Sequence, residues 1–203
     1  MRFIIKCIDE MMITTYRSEF MDKTALVPIA DGTEELEAVT IIDVLRRAGA
    51  QVTVASVASL QITASRKVKL VADCLIAECI DKTFDLIVLP GGLPGAEHLR
   101  DCAPLVDMLK SQNQAGRLYA AICAAPSVVL VPNGLLDGRK ATCHPSCTDR
   151  LPDQTQADRR VVVDGNCTTS QGPGTALEFS IELVRQLFDE TRAQQVSGPM
   201  LVC

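Results

Sequence analysis

From Thr24 onward, short apolar runs of strand length alternate with longer stretches whose apolar residues recur at helical spacing. This alternation is the strongest constraint on the fold, because strand–helix–strand units lay consecutive strands parallel in one sheet and stack helices on its faces. Ala25, Leu26, Val27, Ile29 and Ala30 read as a first strand, and Asp31-Gly32-Thr33 as a turn and N-cap for a helix over 34–50 that stops at Gly49. QVTVASV (51–57) is a β-branched second strand and KVKLVAD (67–73) a third. FDLIVLP (84–90) is a continuous apolar run of the kind found in parallel strands buried on both faces. A helix near 104–114, a strand RLYAAI (117–122), a helix after Cys123 and a short strand RKATC (139–143) follow. A hairpin from Arg159 to Ser170 around Asp164-Gly165 and a long helix from Thr175 to Phe188 complete the series. The expected architecture is a three-layer α/β sandwich with a mainly parallel sheet.

With 203 residues and 47% hydrophobic content, the chain can bury a full core, and no repeat or low-complexity linker divides it. Residues 21–203 are expected to form one domain. Residues 1–20 read as a peripheral extension, the alternative being an extra element packed on the sheet. Asp9 and Glu10 interrupt their apolar stretch, which is wrong for a signal-peptide core, and those acids with Glu19 argue against a transit peptide. No apolar run approaches the roughly 18 residues of a membrane span. The net charge of −5 argues against a general nucleic-acid surface. Nine cysteines without a secretory signal or small-scaffold spacing favour a reducing compartment, cytoplasmic first, with an organellar or nuclear pool left open.

In sheets of this kind, sites form outside the carboxyl ends of the strands. Cys123 sits where RLYAAI turns directly into Ala124-Ala125-Pro126-Ser127, with no linker between. A thiol there faces the positive end of a helix, which favours thiolate; the alternative is a small buried core cysteine. Among the acids of the first helix, Glu34 and Glu35 suit a solvent-facing first turn, while Glu37 lies deeper among Leu36, Val39, Ile42, Val44 and Leu45. Burial would raise the pKa of Glu37 and make it a proton carrier; the alternative is an exposed helical glutamate. Gly91 and Gly92 are either a plain turn or backbone donors that form an oxyanion pocket with the amide of Ala124. His144 is either a proton shuttle or a hydrogen-bonded structural residue. Cys143, His144 and Cys147 have unusual spacing for a metal and no second half to the site, so no metal is expected.

DGTEELEAV (31–39), IDVLRRAGA (42–50), LIVLPGGLPGAEHL (86–99), AAICAAPSVVL (120–130), KATCHP (140–145) and TTSQGPGTALEF (168–179) together resemble the ThiJ/DJ-one/PfpI superfamily. The resemblance runs from about residue 24 to 202 and is nearest to the branch around the Parkinson-associated protein and its bacterial and plant relatives. It implies a flavodoxin-like sandwich, usually a homodimer, with Cys123 at a nucleophile elbow, Glu37 as its carboxylic partner, His144 nearby and Gly91-Gly92 as the oxyanion site. The implied activity is cofactor-independent glyoxalase III chemistry, in which small reactive aldehydes become 2-hydroxy acids without glutathione or metal. Deglycation of early adducts on proteins or nucleotides is related. A redox sensor or redox-regulated chaperone acting through Cys123 is the second implication. Hydrolase relatives place histidine directly after the cysteine, where this chain has Ala124. It also departs from the branch in having Ala125 for a glycine and Ala64 for a cysteine beside Ser65-Arg66.

Overall fold

The computed structural model describes residues 23–202, so the expected extension at 1–20 lies outside the described residues. The strands are β1 (Thr24–Ile29), β2 (Gln51–Ser56), β3 (Gln61–Thr63), β4 (Lys69–Val71), β5 (Cys74–Leu75), β6 (Leu86–Leu89), β7 (Leu118–Ile122), β8 (Val161–Asp164) and β9 (Cys167–Ser170). Seven of them form one sheet in the order β5-β2-β1-β6-β7-β9-β8. All its pairings are parallel except β8 with β9. The flavodoxin-like α/β fold is therefore as expected.

A period of two along the central strands builds both faces of the sheet. Ala25, Val27 and Ile29 of β1, Leu86 and Val88 of β6, and Ala120 and Ile122 of β7 join one core cluster. That cluster is covered by α1 (Glu35–Arg47) through Ile41, Val44 and Leu45, by α4 (Ala176–Leu187), and by α5 (Glu190–Ser197). The residues between them, Leu26, Ile87, Leu89, Tyr119 and Ala121, enter the opposite cluster. There α2 (Gly95–Arg100) contributes Leu99, and α3 (Ala103–Gln114) contributes Leu105 and Leu109. The chain lays β2 on one side of β1 and then β6, β7 and β9 on the other. This reversal leaves a crevice at the carboxyl ends of β1 and β6, where ligands gather in such sheets.

Several local expectations are corrected. KVKLVAD contributes only β4, which pairs antiparallel with β3 outside the main sheet. RKATC forms no strand: β7 and β8 occupy both edges of β9. Side chains instead take its backbone donors, Lys140 N–H reaching Asp164 Oδ2 (2.9 Å) and Thr142 N–H reaching Thr169 Oγ1 (2.9 Å). The N-cap of α1 is Glu34 rather than Thr33, whose hydroxyl instead accepts from Ala30 N–H (2.9 Å) and closes the turn. After Cys123 the chain forms a wide π-type turn over Pro126–Leu130 and a 3-10 turn over Val131–Asn133, not a regular α-helix. Pro132 has no N–H to donate to Val128, so the α-helical ladder cannot continue, and Val131 N–H reaches back to Pro126 O.

Phe179 in α4 is fully buried against the sheet. Phe179→Ala is expected to lower unfolding free energy by about 3–5 kcal/mol, seen as a reduced urea midpoint with an unchanged m-value.

Candidate active site

Cys123 follows β7 with φ of +64°, a left-handed conformation uncommon for a residue with a side chain. Two backbone bonds hold it there. Its N–H donates to Ser170 O at the end of β9 (3.0 Å), and its carbonyl accepts from His144 N–H (2.7 Å). The reversal swings the half-buried thiol out over the carboxyl edge of the sheet, as at a nucleophile elbow.

Glu37 comes from the first turns of α1 and is completely buried. Gly91 N–H donates to its Oε2 (2.8 Å), whereas Oε1 is buried without a conventional hydrogen-bond partner. Burial pushes the carboxyl up to about 7, against the opposing pull of Gly91 N–H and the neighbouring Cys123 thiol. Only glycine fits at position 91, since a Cβ there would lie 2.6 Å from Cys123 Cβ, 2.9 Å from Ile122 O and 3.0 Å from Glu37 Oε2. Gly92 has φ of +90°, and a Cβ on it would strike Gly32 O and Glu34 N. Glu34 N–H in turn donates to Gly91 O (2.9 Å), which joins the loops after β1 and β6.

Two expectations change here. Gly91 N–H is consumed by Glu37, so the donors left for an anion beside the sulfur are the amides of Gly92 and Ala124, both of which interact with the Cys123 thiol. The thiol is raised to about 12 rather than lowered: burial comes first, then the charge of Glu37, with the Gly92 and Ala124 amides opposing. Thiol and carboxyl are one coupled system. Between about pH 7 and 12 the pair favours one proton and one negative charge. In that range the charge rests on the Glu37 carboxylate and the proton on the Cys123 sulfur; transfer of that proton to the carboxyl leaves a thiolate facing the amides of Gly92 and Ala124.

His144 is half-buried beside this pair. Ser146 N–H donates to its Nδ1 (3.3 Å) and Ser146 Oγ lies 2.8 Å from the same atom, so the neutral ring carries its proton on Nε2. Gly172 marks the fourth wall: a Cβ on it would sit 3.6 Å from His144 Cδ2 and 4.0 Å from Cys123 Sγ. Sequence reasoning had not singled out Gly172, or Ser170 as the partner of Cys123; the Gly-Pro-Gly after β9 was the available signal. Glu35 is buried instead of solvent-facing. It accepts from Arg66 N–H (2.8 Å) and Ser65 Oγ (2.8 Å), and Ser65 Oγ also reaches Glu34 (2.5 Å). Leu36 and Val39, expected to line the apolar surroundings of Glu37, are 51% and 49% exposed. Among the described residues, no group of three His, Cys, Asp or Glu side chains is placed to hold a metal.

The raised Glu37 pKa makes stability depend on pH. The folded chain binds more protons than the unfolded chain between pH 4.5 and about 7. The Glu37 contribution is therefore fully present below pH 4.5 and is lost as pH rises through about 7, an effect on the order of 3 kcal/mol. Urea titrations across this range are expected to show the decline in the parent and its loss in Glu37→Gln; equal slopes would overturn the assignment.

Residues 23–186 match the DJ-1/PfpI family. Protein DJ-1 homolog A of Arabidopsis thaliana is 51% identical over 87% of this chain and 45% of its own length, and homolog B is 53% identical over 87% and 41%. The chain thus spans less than half the length of these two relatives. Glutathione-independent glyoxalase DJR-1.2 of Caenorhabditis elegans is 33% identical, over 88% of this chain and 96% of its own. Among solved structures, oxidized Toxoplasma gondii DJ-1 superposes with a TM-score of 0.86 at 45% identity, covering 88% of this chain and 98% of that one. Drosophila melanogaster DJ-1beta gives 0.87 at 41% identity, covering 90% and 100%. With its elbow cysteine and flavodoxin-like sheet, the chain belongs to the DJ-1/PfpI family.

Proposed function

We propose that this chain is a glutathione-independent glyoxalase that converts methylglyoxal or glyoxal to the 2-hydroxy acid. The observation that carries the reading is the buried carboxyl of Glu37, poised near pH 7 beside the Cys123 thiol. With the shared proton on Glu37, the thiolate attacks the aldehyde carbon, and the new alkoxide takes the proton to give a hemithioacetal. Glu37, now a carboxylate, removes the proton from that carbon and returns it to the neighbouring carbonyl carbon, while the hydroxyl proton of the first carbon passes to the oxygen of the second. This internal redox shift leaves a 2-hydroxyacyl thioester, which water hydrolyses, releasing the acid and restoring the thiol. The amides of Gly92 and Ala124 support the developing negative charge, and His144, fixed by Ser146, assists proton movement. The name of the nematode relative supports the assignment. Glycated groups on proteins or nucleotides carry the same early adducts and are a second substrate class of this reading.

Among the described residues, no helix is long and apolar enough to cross a membrane. The reading includes a homodimer, whose interface would cover apolar surface such as Leu36 and Val39 on α1. A second reading, oxidation sensing through Cys123, is favoured by the two amides at the sulfur, which suit the oxygens of a sulfinate. That the Toxoplasma gondii relative has been solved in an oxidized form supports it too.

Purified chain given methylglyoxal without glutathione is expected to form lactate. Cys123→Ser should fall to the uncatalysed level, and Glu37→Gln should lose about 10²–10⁴-fold in kcat while unfolding cooperatively. Parent activity no greater than that of Cys123→Ser would sink the enzyme reading. Sulfinic acid at Cys123 after mild peroxide would then favour the sensor.

A further inference from the structure

We propose that Cys74 and Cys79 form a second redox site, a dithiol that hydroperoxides convert reversibly to an intrachain disulfide independently of Cys123. Their sulfurs lie 3.6 Å apart, and among the described residues this is the one thiol–thiol contact within hydrogen-bonding distance. Both are free thiols. Closing the bond requires an approach to about 2.0 Å.

The local backbone is folded to keep the sulfurs together. Cys74 lies in β5, the end strand of the sheet, paired through Ala55 to β2. The chain then reverses through a 3-10 turn over Ile76–Glu78, closed by Leu75 N–H to Glu78 Oε1 (2.8 Å) and Cys79 N–H to Ile76 O (2.9 Å). That turn brings Cys79 back against Cys74.

The two thiols differ in access, which sets their order of reaction. Cys74 is half-buried and can meet a small peroxide, whereas Cys79 is fully buried among core residues that include Ile76 and Phe84. Burial, with Cys74 adding to it, pushes the Cys79 thiol up to about 11, consistent with a resolving partner rather than the first nucleophile. The Cys74 thiolate attacks the terminal oxygen of ROOH; the O–O bond breaks, ROH leaves, and Cys74 becomes a sulfenic acid. The Cys79 sulfur attacks the Cys74 sulfur; the S–O bond breaks and water carries away the Cys79 proton. The thiols lose two electrons in total and the hydroperoxide gains them. Strands β2, β1 and β6 separate β5 from β7, so the pair stands apart from Cys123.

The sequence makes the test direct, because cleavage after Lys69 and Lys82 releases residues 70–82, which contain Cys74, Cys79 and no other cysteine. The whole chain is treated with one to a few equivalents of hydrogen peroxide, unfolded in N-ethylmaleimide, digested and weighed. The peptide is expected without alkylation and lighter by a pair of hydrogens, and dithiothreitol before alkylation should restore two maleimides. The same product is expected from Cys123→Ser. A doubly alkylated peptide in protein whose Cys123 is oxidised overturns the proposal, as does sulfinic acid at Cys74 with Cys79 alkylated. Loss of the disulfide in Cys123→Ser would assign the oxidation to relay from Cys123 and overturn independence. In Cys74→Ser, Cys79 should remain fully alkylatable after peroxide; its oxidation there overturns the order of attack.

Discussion

The hydrogen bond from Gly91 N–H to Glu37 Oε2 is the constraint on which the rest of the site depends. It fixes one carboxyl oxygen as an acceptor and leaves the other, Oε1, as the place for a mobile proton. It also demands glycine at 91, since any side chain would occupy the space between Cys123 and Glu37. Through it the loop after β6 is tied to the helix that follows β1, across the reversal point of the sheet. An acid in an apolar setting is disfavoured when ionised, and a neighbouring thiol cannot easily ionise beside it. The two groups therefore divide one charge, and the backbone amides decide where it is stabilised.

The surrounding framework holds conformations that isolated chain would avoid. Cys123 stays at positive φ because Ser170 and His144 bond its amide and carbonyl from either side. Those partners come from the end of β9 and from the segment after Lys140, neither of which can shift without disturbing β7. The strain at the elbow is distributed over a sheet whose alternating side chains are packed on both faces, and such interiors deform little.

Much of the fold was legible from the chain because it rests on periodicity. Leu86 to Leu89 read as a strand buried on both faces, and the helix around Ile41, Val44 and Leu45 ended at its glycine as expected. Cys123 was legible because an apolar strand ran into proline and small residues without a linker, and Glu37 because it interrupted an apolar helix. What escaped depends on pairing across space. RKATC has strand-like composition, but Asp164 and Thr169 side chains take its backbone donors, and the turn after Cys123 widened because Pro132 cannot donate. Glu35 looked solvent-facing until Ser65 and Arg66, thirty residues later, closed over it. The direction of the thiol shift escapes a local reading because a helix dipole is visible in the sequence, whereas burial of the sulfur and then the charge of Glu37 arise only in the folded site.

The same geometry has a bearing on how the chain emerges from the ribosome. Glu37 and Gly91 are 54 positions apart, and the amide of Cys123 waits for Ser170. Until β9 has been synthesised and docked beside β7, Cys123 lacks the partner that holds its elbow. The nascent chain therefore carries an ordinary cysteine, and its special chemistry arrives with the last strands of the sheet. The surroundings of this thiol therefore exist only once β9 is in place beside β7.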